Sequence, residues 1–254
     1  MPFRKVQPEK LSSSVIRQIE LLILRGILRP GERLPSERDL AEKFGVSRPS
    51  LRDAISSLEA KELLLTKPGS GVFVADVLGS AFAKPLVDLF AEHDEALFDY
   101  LAFRRDLETL AAERAAQVAS DTDLKLIDVI FQKMAAANVA RDVKAEAELD
   151  AEFHLAIIEA SHNVIMLHMM RSMFEMLRRG VFYNRQVMFQ QRTTRTSLLD
   201  QHRAINEALQ DRDPDAARKA VHQHLDFVKA AMRGQIETDH NEKIAQLRLD
   251  RQSR

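Results

Sequence analysis

Gly45 and Ser47 constrain this chain more than any other pair of residues. Ahead of them, Pro35-Ser36-Glu37-Arg38 starts a helix with Ser36 as its N-cap and Leu40, Ala41 and Phe44 as its inner face. Gly45 makes a turn and Val46 plugs it. Ser47 then caps another helix, which tolerates Pro49 in its first turn and faces Leu51, Ile55 and Leu58 inward. Two helices joined by so tight a turn allow the second to stand in a DNA major groove. Residues 11–25 supply a helix before the pair, with Ser12, Ser13 and Ser14 to cap its start and Val15, Ile19, Leu22 and Ile23 at helical spacing. Apolar runs at 63–66 and 72–74 flank Lys67-Pro68-Gly69-Ser70-Gly71 and read as a hairpin with a basic tip. Three helices and a hairpin make a winged helix-turn-helix over residues 1–75.

The remainder has one texture. Residues 76–84 read as a linker, and from 85 to 242 every segment repeats at the helical period. Helices are predicted near 84–91, 95–118, 122–139, 142–160, 163–187, 193–210 and 214–241. Their breaks are Ser120-Asp121, Arg141, His162-Asn163 and Asp211 to Pro214. Residues 243–254 are polar and basic and are expected to fray. With 8 glycines and 2 tyrosines, the chain disfavours a large β architecture, so the fold is mainly α with an all-helical second domain. The absence of cysteine excludes disulfides, thiol catalysis and Cys-ligated metal clusters, and fits a reducing cytosol. No apolar run reaches the roughly 20 residues of a bilayer span. The first residues lack the apolar stretch of a secretory signal, so a cytoplasmic protein is expected. Residues 1–75 carry 13 Lys/Arg against 9 Asp/Glu, whereas the rest carry 24 against 29. A basic front and an acidic back suit two domains with different partners.

Arg48, Arg52 and Ser56 line a stripe beside the core face of the third helix, and Arg38 stands in the first turn of the second. Arginines so placed reach guanine edges or phosphates. Ser47 and Ser50 can donate to phosphates from a helix N-terminus, and Lys67, Gly69 and Gly71 would make the wing contact. Exposed arginines are ordinarily a solvated face. Within a complete winged motif they point instead to double-stranded operator DNA, read as a palindrome by a homodimer.

In the helical part, polar residues intrude on apolar stripes. His224 falls on the stripe of Ala217, Val221, Leu225, Val228 and Ala231, whereas His222 falls with Lys219, Asp226, Lys229 and Arg233. Leu198, His202, Ile205 and Leu209 are spaced four, three and four, so His202 points inward. Asp150 and His154 share a helix face, and Arg104 lies on a stripe with Tyr100, Leu107 and Ala111. One inward histidine is ordinarily a satisfied core residue, but several such groups all need partners. A divalent metal would satisfy Asp150, His154, His202 and His224 together, and three imidazoles with one carboxylate suit zinc, nickel or manganese. Arg104 either clamps a small carboxylate effector or pairs with Glu108 one turn on. Met166, Met169, Met170, Met173 and Met176 are spaced for helix packing rather than for a ligand surface. No enzyme is expected. Asp150-Ala151-Glu152-Phe153-His154 is not HExxH, Glu152 lies on the wrong side of the helix, and no Gly-rich phosphate loop is present.

The gap-free runs LRPGERLPSERDLA from Leu28 and VSRPSLRDA from Val46 resemble the DNA-binding domain of the GntR family of transcription regulators. The helical remainder resembles the effector domain of its FadR-type branch, at 104–108, 150–154, Ser161-His162-Asn163, 201–205 and His224-Leu225. Within that branch, residues 21–32, 46–54 and 162–168 resemble the subgroup of pyruvate dehydrogenase complex repressors. The resemblance implies base and phosphate contacts at Arg38, Arg48 and Arg52, and metal ligands at Asp150, His154, His202 and His224. It also implies a dimeric repressor controlled by pyruvate or a 2-hydroxy acid; acyl chains and sugar acids are the alternative effectors. Where such regulators place a glycine after the recognition helix, this chain has Glu62. Either the helix runs on there or its turn carries strain.

Overall fold

Val15, Ile19 and Ile23 lie four apart and form the buried face of α1 (Leu11–Leu24). The computed structural model describes residues 11–76, 84–178 and 192–252, and the chain divides into two units, Met1–Gly79 and Ser80–Arg254. Ser12, Ser13 and Ser14 lie inside α1 rather than capping it, because the helix already includes Leu11. In α2 (Glu37–Phe44) the Ser36 hydroxyl accepts from the Asp39 amide at 3.3 Å, and Gly45 closes the helix at φ 64°. Ser47 opens α3 (Arg48–Ala60) by accepting from the Ser50 amide at 3.3 Å. The inner face of α3 is Leu51, Ala54, Ile55 and Leu58, packed against α1 and α2.

β1 (Leu64–Lys67) pairs antiparallel with β2 (Gly71–Val74), with Leu64 opposite Val74 and Lys67 opposite Gly71. β1 is displaced by one residue from its predicted run and β2 begins one residue earlier, which shortens the tip to Pro68-Gly69-Ser70. One neighbour of the wing is invisible in the sequence pattern. Residues 31–34 run along the outer edge of β2, with a bridge from Arg33 to Phe73 and a hydrogen bond from the Leu34 amide to the Val72 carbonyl at 2.9 Å. This unit is a winged helix-turn-helix, as expected.

The second unit is all helical among the described residues: α4 (Lys84–Glu92), α5 (Asp94–Val118), α6 (Asp121–Ala140), α7 (Val143–Ala160), α8 (Val164–Arg178), α9 (Arg192–Gln210) and α10 (Pro214–Gln252). Its breaks carry their own chemistry. Ser120 and Asp123 form a reciprocal capping box at the start of α6, and Asp142 caps α7. Asn163 accepts from the Ile165 and Met166 amides at 3.1 Å each. The alanine stripe Ala112, Ala115, Ala116 and Ala119 brings α5 close to α10, where Ala217, Val221 and Leu225 complete the core. Met170 and Met173 pack inward, consistent with helix packing, and Met169 is exposed. The side chain of Met176, most of the expected linker at 76–84 and the predicted helix beyond 178 lie outside the described residues.

The expected frayed tail is a correction: α10 continues as helix to Gln252. Apolar periodicity fades after Ile236, but polar contacts one turn apart persist. Gln235 donates to Asp239 at 2.8 Å, Thr238 to the Gly234 carbonyl at 2.8 Å, and Gln246 to Asp250 at 2.9 Å.

Among the described residues, four other than glycine take the left-handed conformation, and each follows a helix: Glu62, Arg141, His162 and Arg212. At Glu62 the helix stops rather than running on. The Glu62 amide donates to the Glu59 carbonyl at 2.8 Å and the Leu63 amide to the Leu58 carbonyl at 2.9 Å, which together make a Schellman closure with φ 58° at Glu62. The strain alternative is therefore the one realised. His162 and Arg212 use their side chains to reach the same α5–α6 turn. His162 Nε2 lies 3.1 Å from Asp123, while Arg212 donates to the Ala119 carbonyl at 2.8 Å and to Asp121 at 2.7 Å.

Candidate metal centre and nucleic-acid interface

Spacing of four puts Asp150 and His154 on one face of α7, while α9 brings His202 and α10 brings His224 to the same place. One donor atom from each lies within 4.8 Å of every other. All four side chains are buried, His202 completely. His202 Nε2 is 3.2 Å from Asp150 Oδ1 and 3.3 Å from His154 Nε2.

Neighbouring groups decide which nitrogen of two imidazoles faces inward. His154 Nδ1 lies 2.6 Å from Glu108 Oε2, which leaves its Nε2 for the cluster. Gln201 Oε1 accepts from His224 Nδ1 at 2.9 Å, with the same result. Burial pushes His154 below its ordinary pKa, although Glu108 opposes the shift. Burial also pushes His224 well below that range, with His202 and His154 adding to it. Neutral imidazoles carry the lone pair that a metal needs. The two ring nitrogens 3.3 Å apart can share a proton or, with both lone pairs turned inward, face a cation. The donor set therefore fits a divalent metal, and the cluster could bind one.

Arg104 is as deeply buried as the cluster and donates from Nε to Glu108 Oε1 at 2.5 Å. Burial raises the Glu108 carboxyl, but Arg104 and His154 outweigh it and hold the pKa at about 2. Of the two roles open to Arg104 in the sequence, pairing with Glu108 is the contact present. The guanidinium also lies over the Phe174 ring, 5.3 Å from its centroid. Glu108 thus joins Arg104 to His154. Periodicity placed Glu108 beside Arg104 but gave no sign of His154 on another helix. Gln201 was equally hidden, because it adjoins His202 in the chain yet serves His224.

The arginines expected to read DNA are on the surface of the first unit. The Arg38 side chain is 83% exposed, and those of Arg48 and Arg52 are more than half exposed. Arg52 Nε donates to Glu37 Oε2 at 2.8 Å, and Arg48 Nη2 lies 3.9 Å from the same oxygen. Arg38 Nε stands 3.7 Å from Asp39. Ser47 and Ser50 share a hydroxyl hydrogen bond of 2.9 Å across the start of α3. On the wing, Lys67 Nζ sits 4.7 Å from the centroid of Phe73. Gly69 needs its φ of 74°, and a side chain on Gly71 would meet Arg33 Nε at 3.1 Å.

Comparison with known proteins agrees with this division. The pattern described as "Bacterial regulatory proteins, gntR family" matches residues 11–74, and the pattern "FCD domain" matches residues 99–227. The "Putative L-lactate dehydrogenase operon regulatory protein" of Escherichia coli K12 is 36% identical over 90% of this chain and 88% of its own length. The "Glc operon transcriptional activator" of the same strain is 33% identical over 85% of this chain and 86% of its own. The "HTH-type transcriptional regulator LutR" of Bacillus subtilis is 29% identical over 85% and 98%. A solved structure, "Streptococcus agalactiae GntR", superposes with a TM-score of 0.53 at 25% identity and covers 86% of this chain and 99% of its own. The first two are named for the L-lactate dehydrogenase and Glc operons, not for the pyruvate dehydrogenase complex that residues 21–32, 46–54 and 162–168 suggested. No helix of the described residues is long and apolar enough to cross a membrane.

Proposed function

The chain belongs to the gntR family of bacterial regulatory proteins, in its branch with an FCD domain, and from that premise we propose that it is a repressor controlled by a small 2-hydroxy acid. It is a transcriptional regulator rather than an enzyme, and it binds operator DNA through its helix-turn-helix domain. The finer reading is a homodimer in the cytoplasm that recognises a palindrome. Arg38, Arg48 and Arg52 would read base edges and phosphates, Ser47 and Ser50 would hold phosphates, and Lys67, Gly69 and Gly71 would make the wing contact.

The observation that carries the effector assignment is the closed set of four donors on α7, α9 and α10. Asp150, His154, His202 and His224 would hold zinc, with nickel or manganese as the other metals suited to these donors. A metal with open positions supplies a Lewis-acid site for a carboxylate and its neighbouring hydroxyl. Glu108 and Gln201 keep two histidines turned inward. Arg104 is paired with Glu108, the carboxylate beside His154, and would support the site from behind by holding that carboxylate in place. L-Lactate and glycolate come first among effectors because the named relatives regulate lactate and Glc operons. Pyruvate follows them. Effector binding then shifts the population of dimer arrangements away from the one that fits the operator. A coupling of about 1–3 kcal/mol would lower operator affinity about 5–150-fold.

The test is fluorescence anisotropy of the metal-loaded full chain. The probe is a duplex that the protein itself enriches from a randomised pool, with a scrambled copy as control. Each titration is repeated with L-lactate, glycolate and pyruvate at millimolar levels. Specific binding weakened by L-lactate or glycolate supports the reading. Specific binding that ignores all three sinks the small-carboxylate assignment and turns attention to acyl chains or sugar acids. Equal binding to both duplexes sinks the operator-reading assignment itself.

A further inference from the structure

Glu37 stands in the first turn of α2, and one of its carboxylate oxygens is the meeting point of two cations from α3. Arg52 Nε donates to that oxygen at 2.8 Å, and Arg48 Nη2 approaches it to 3.9 Å. A helix-terminal acid needs neither contact to favour the helix dipole. As an exposed ion pair it contributes little stability, since the pair costs side-chain entropy and is screened by salt. Its geometry has another consequence. A guanidinium has a rigid fork of five donors, and a carboxylate on Nε leaves the Nη1/Nη2 edge to meet guanine O6 and N7 side by side. The same carboxylate lies where a polyanion would dock. It opposes any docking in which the arginines meet only phosphate, and it costs least where base edges repay them.

We propose that Glu37 is a positioning and specificity-determining residue of DNA readout: it aims Arg52 at base edges and, beside both Arg52 and Arg48, keeps a negative charge against phosphate-only binding. The inference rests on the assignment of Arg48 and Arg52 as DNA-reading residues. Glu37→Gln keeps an acceptor oxygen and removes the charge. Glu37→Asp keeps the charge at the helix start and withdraws it by one methylene. Glu20→Gln is the control, because it removes the same unit charge from a pair with Lys61 at 2.7 Å that includes neither arginine.

The full chain with its metal is titrated, as wild type and as each variant, on the pool-enriched duplex and its scrambled copy at several salt concentrations. Thermal melting monitors the fold. Glu37→Gln is expected to bind scrambled DNA about 3–10-fold tighter without gaining on the enriched duplex, with a log–log salt slope steeper by up to about one. Glu37→Asp is expected to weaken the enriched duplex about 5–10-fold and leave scrambled DNA alone, as loosening of one bidentate contact requires. Glu20→Gln leaves the ratio of the two affinities unchanged. A ratio within about twofold of wild type in both Glu37 variants, with native melting, overturns the proposal and leaves Glu37 a helix-end charge. Should Glu37→Gln melt early, Glu37→Asp alone decides. A wild-type protein that fails to distinguish the duplexes removes the underlying assignment, which is a different failure.

Discussion

The two units treat polar side chains in opposite ways. In the first, the core from Val15 to Val74 is wholly apolar, and the arginines assigned to DNA lie on the surface. In the second lie all the buried charged and polar side chains of the described residues, among them Arg104, Glu108, Glu146, Asp150, His154, His202 and His224. The difference is the one the proposed roles require, a duplex for the first unit and a small anion for the second. A duplex is larger than the unit that reads it, so recognition must happen outside the core, where side chains can change without disturbing the fold. A small anion is recognised by being enclosed, so its ligands become core residues that each require a partner. Stability and recognition are separable in the first unit and the same matter in the second.

The largest test of that contrast is Glu108→Ala. It leaves the Arg104 guanidinium buried without its carboxylate, and the expected loss is about 3–5 kcal/mol. Chemical denaturation followed on the second unit would read it, and a loss below 1 kcal/mol would break the contrast at its strongest point. Gln201→Ala comes next. It frees His224 Nδ1, and metal affinity measured by chelator competition should drop about 10–100-fold. In the first unit, Arg52→Ala should cost about 1–3 kcal/mol on the enriched duplex while leaving the melting temperature unchanged. A matching drop in melting temperature would show that surface and core are not separable there. Glu62→Gly relieves a left-handed glutamate and should stabilise the first unit by about 1 kcal/mol, read as a shift in its denaturation midpoint.

The smallest expected effect is one of pH. Burial raises the Asp123 carboxyl, but hydrogen bonds from Ser120 and the charge of His162 outweigh it and lower the pKa below its ordinary value. A carboxyl lowered on folding stabilises above its unfolded pKa, and that stability is lost as pH falls through its folded one. Asp123→Asn should therefore flatten the acid side of the pH–stability curve, by less than about 1 kcal/mol because the group is partly exposed. An unchanged curve would assign the acid loss elsewhere.

Much of this was legible in the chain because each relevant signal is local. Ser36, Gly45 and Ser47 mark three helix ends within a dozen residues, and the structure uses each in that role. Asp150 and His154 share a helix, so their common face follows from spacing, and the stripes around His202 and His224 show that each points inward. What stayed hidden is what spacing does not encode. Glu108 reaches His154 across helices, Gln201 serves a histidine 23 residues on, and Glu37 holds arginines 11 and 15 residues away. Residues 31–34 join the wing through backbone hydrogen bonds, which leave no mark on side-chain pattern. The length of α10 was missed because apolar periodicity stops before the helix does.

The left-handed residues His162 and Arg212 carry one more consequence. Both belong to turns that follow helices, and both lead to the single turn at 119–123. Three stretches distant in the chain are thereby stitched at one end of the bundle. Turns ordinarily surrender their amide protons to solvent one at a time. Here the amides of 119–123, 161–163 and 211–213 should exchange with deuterium at a common rate, as one event in which the stitched end lifts together. Loss of the Arg212 side chain should split that event into three.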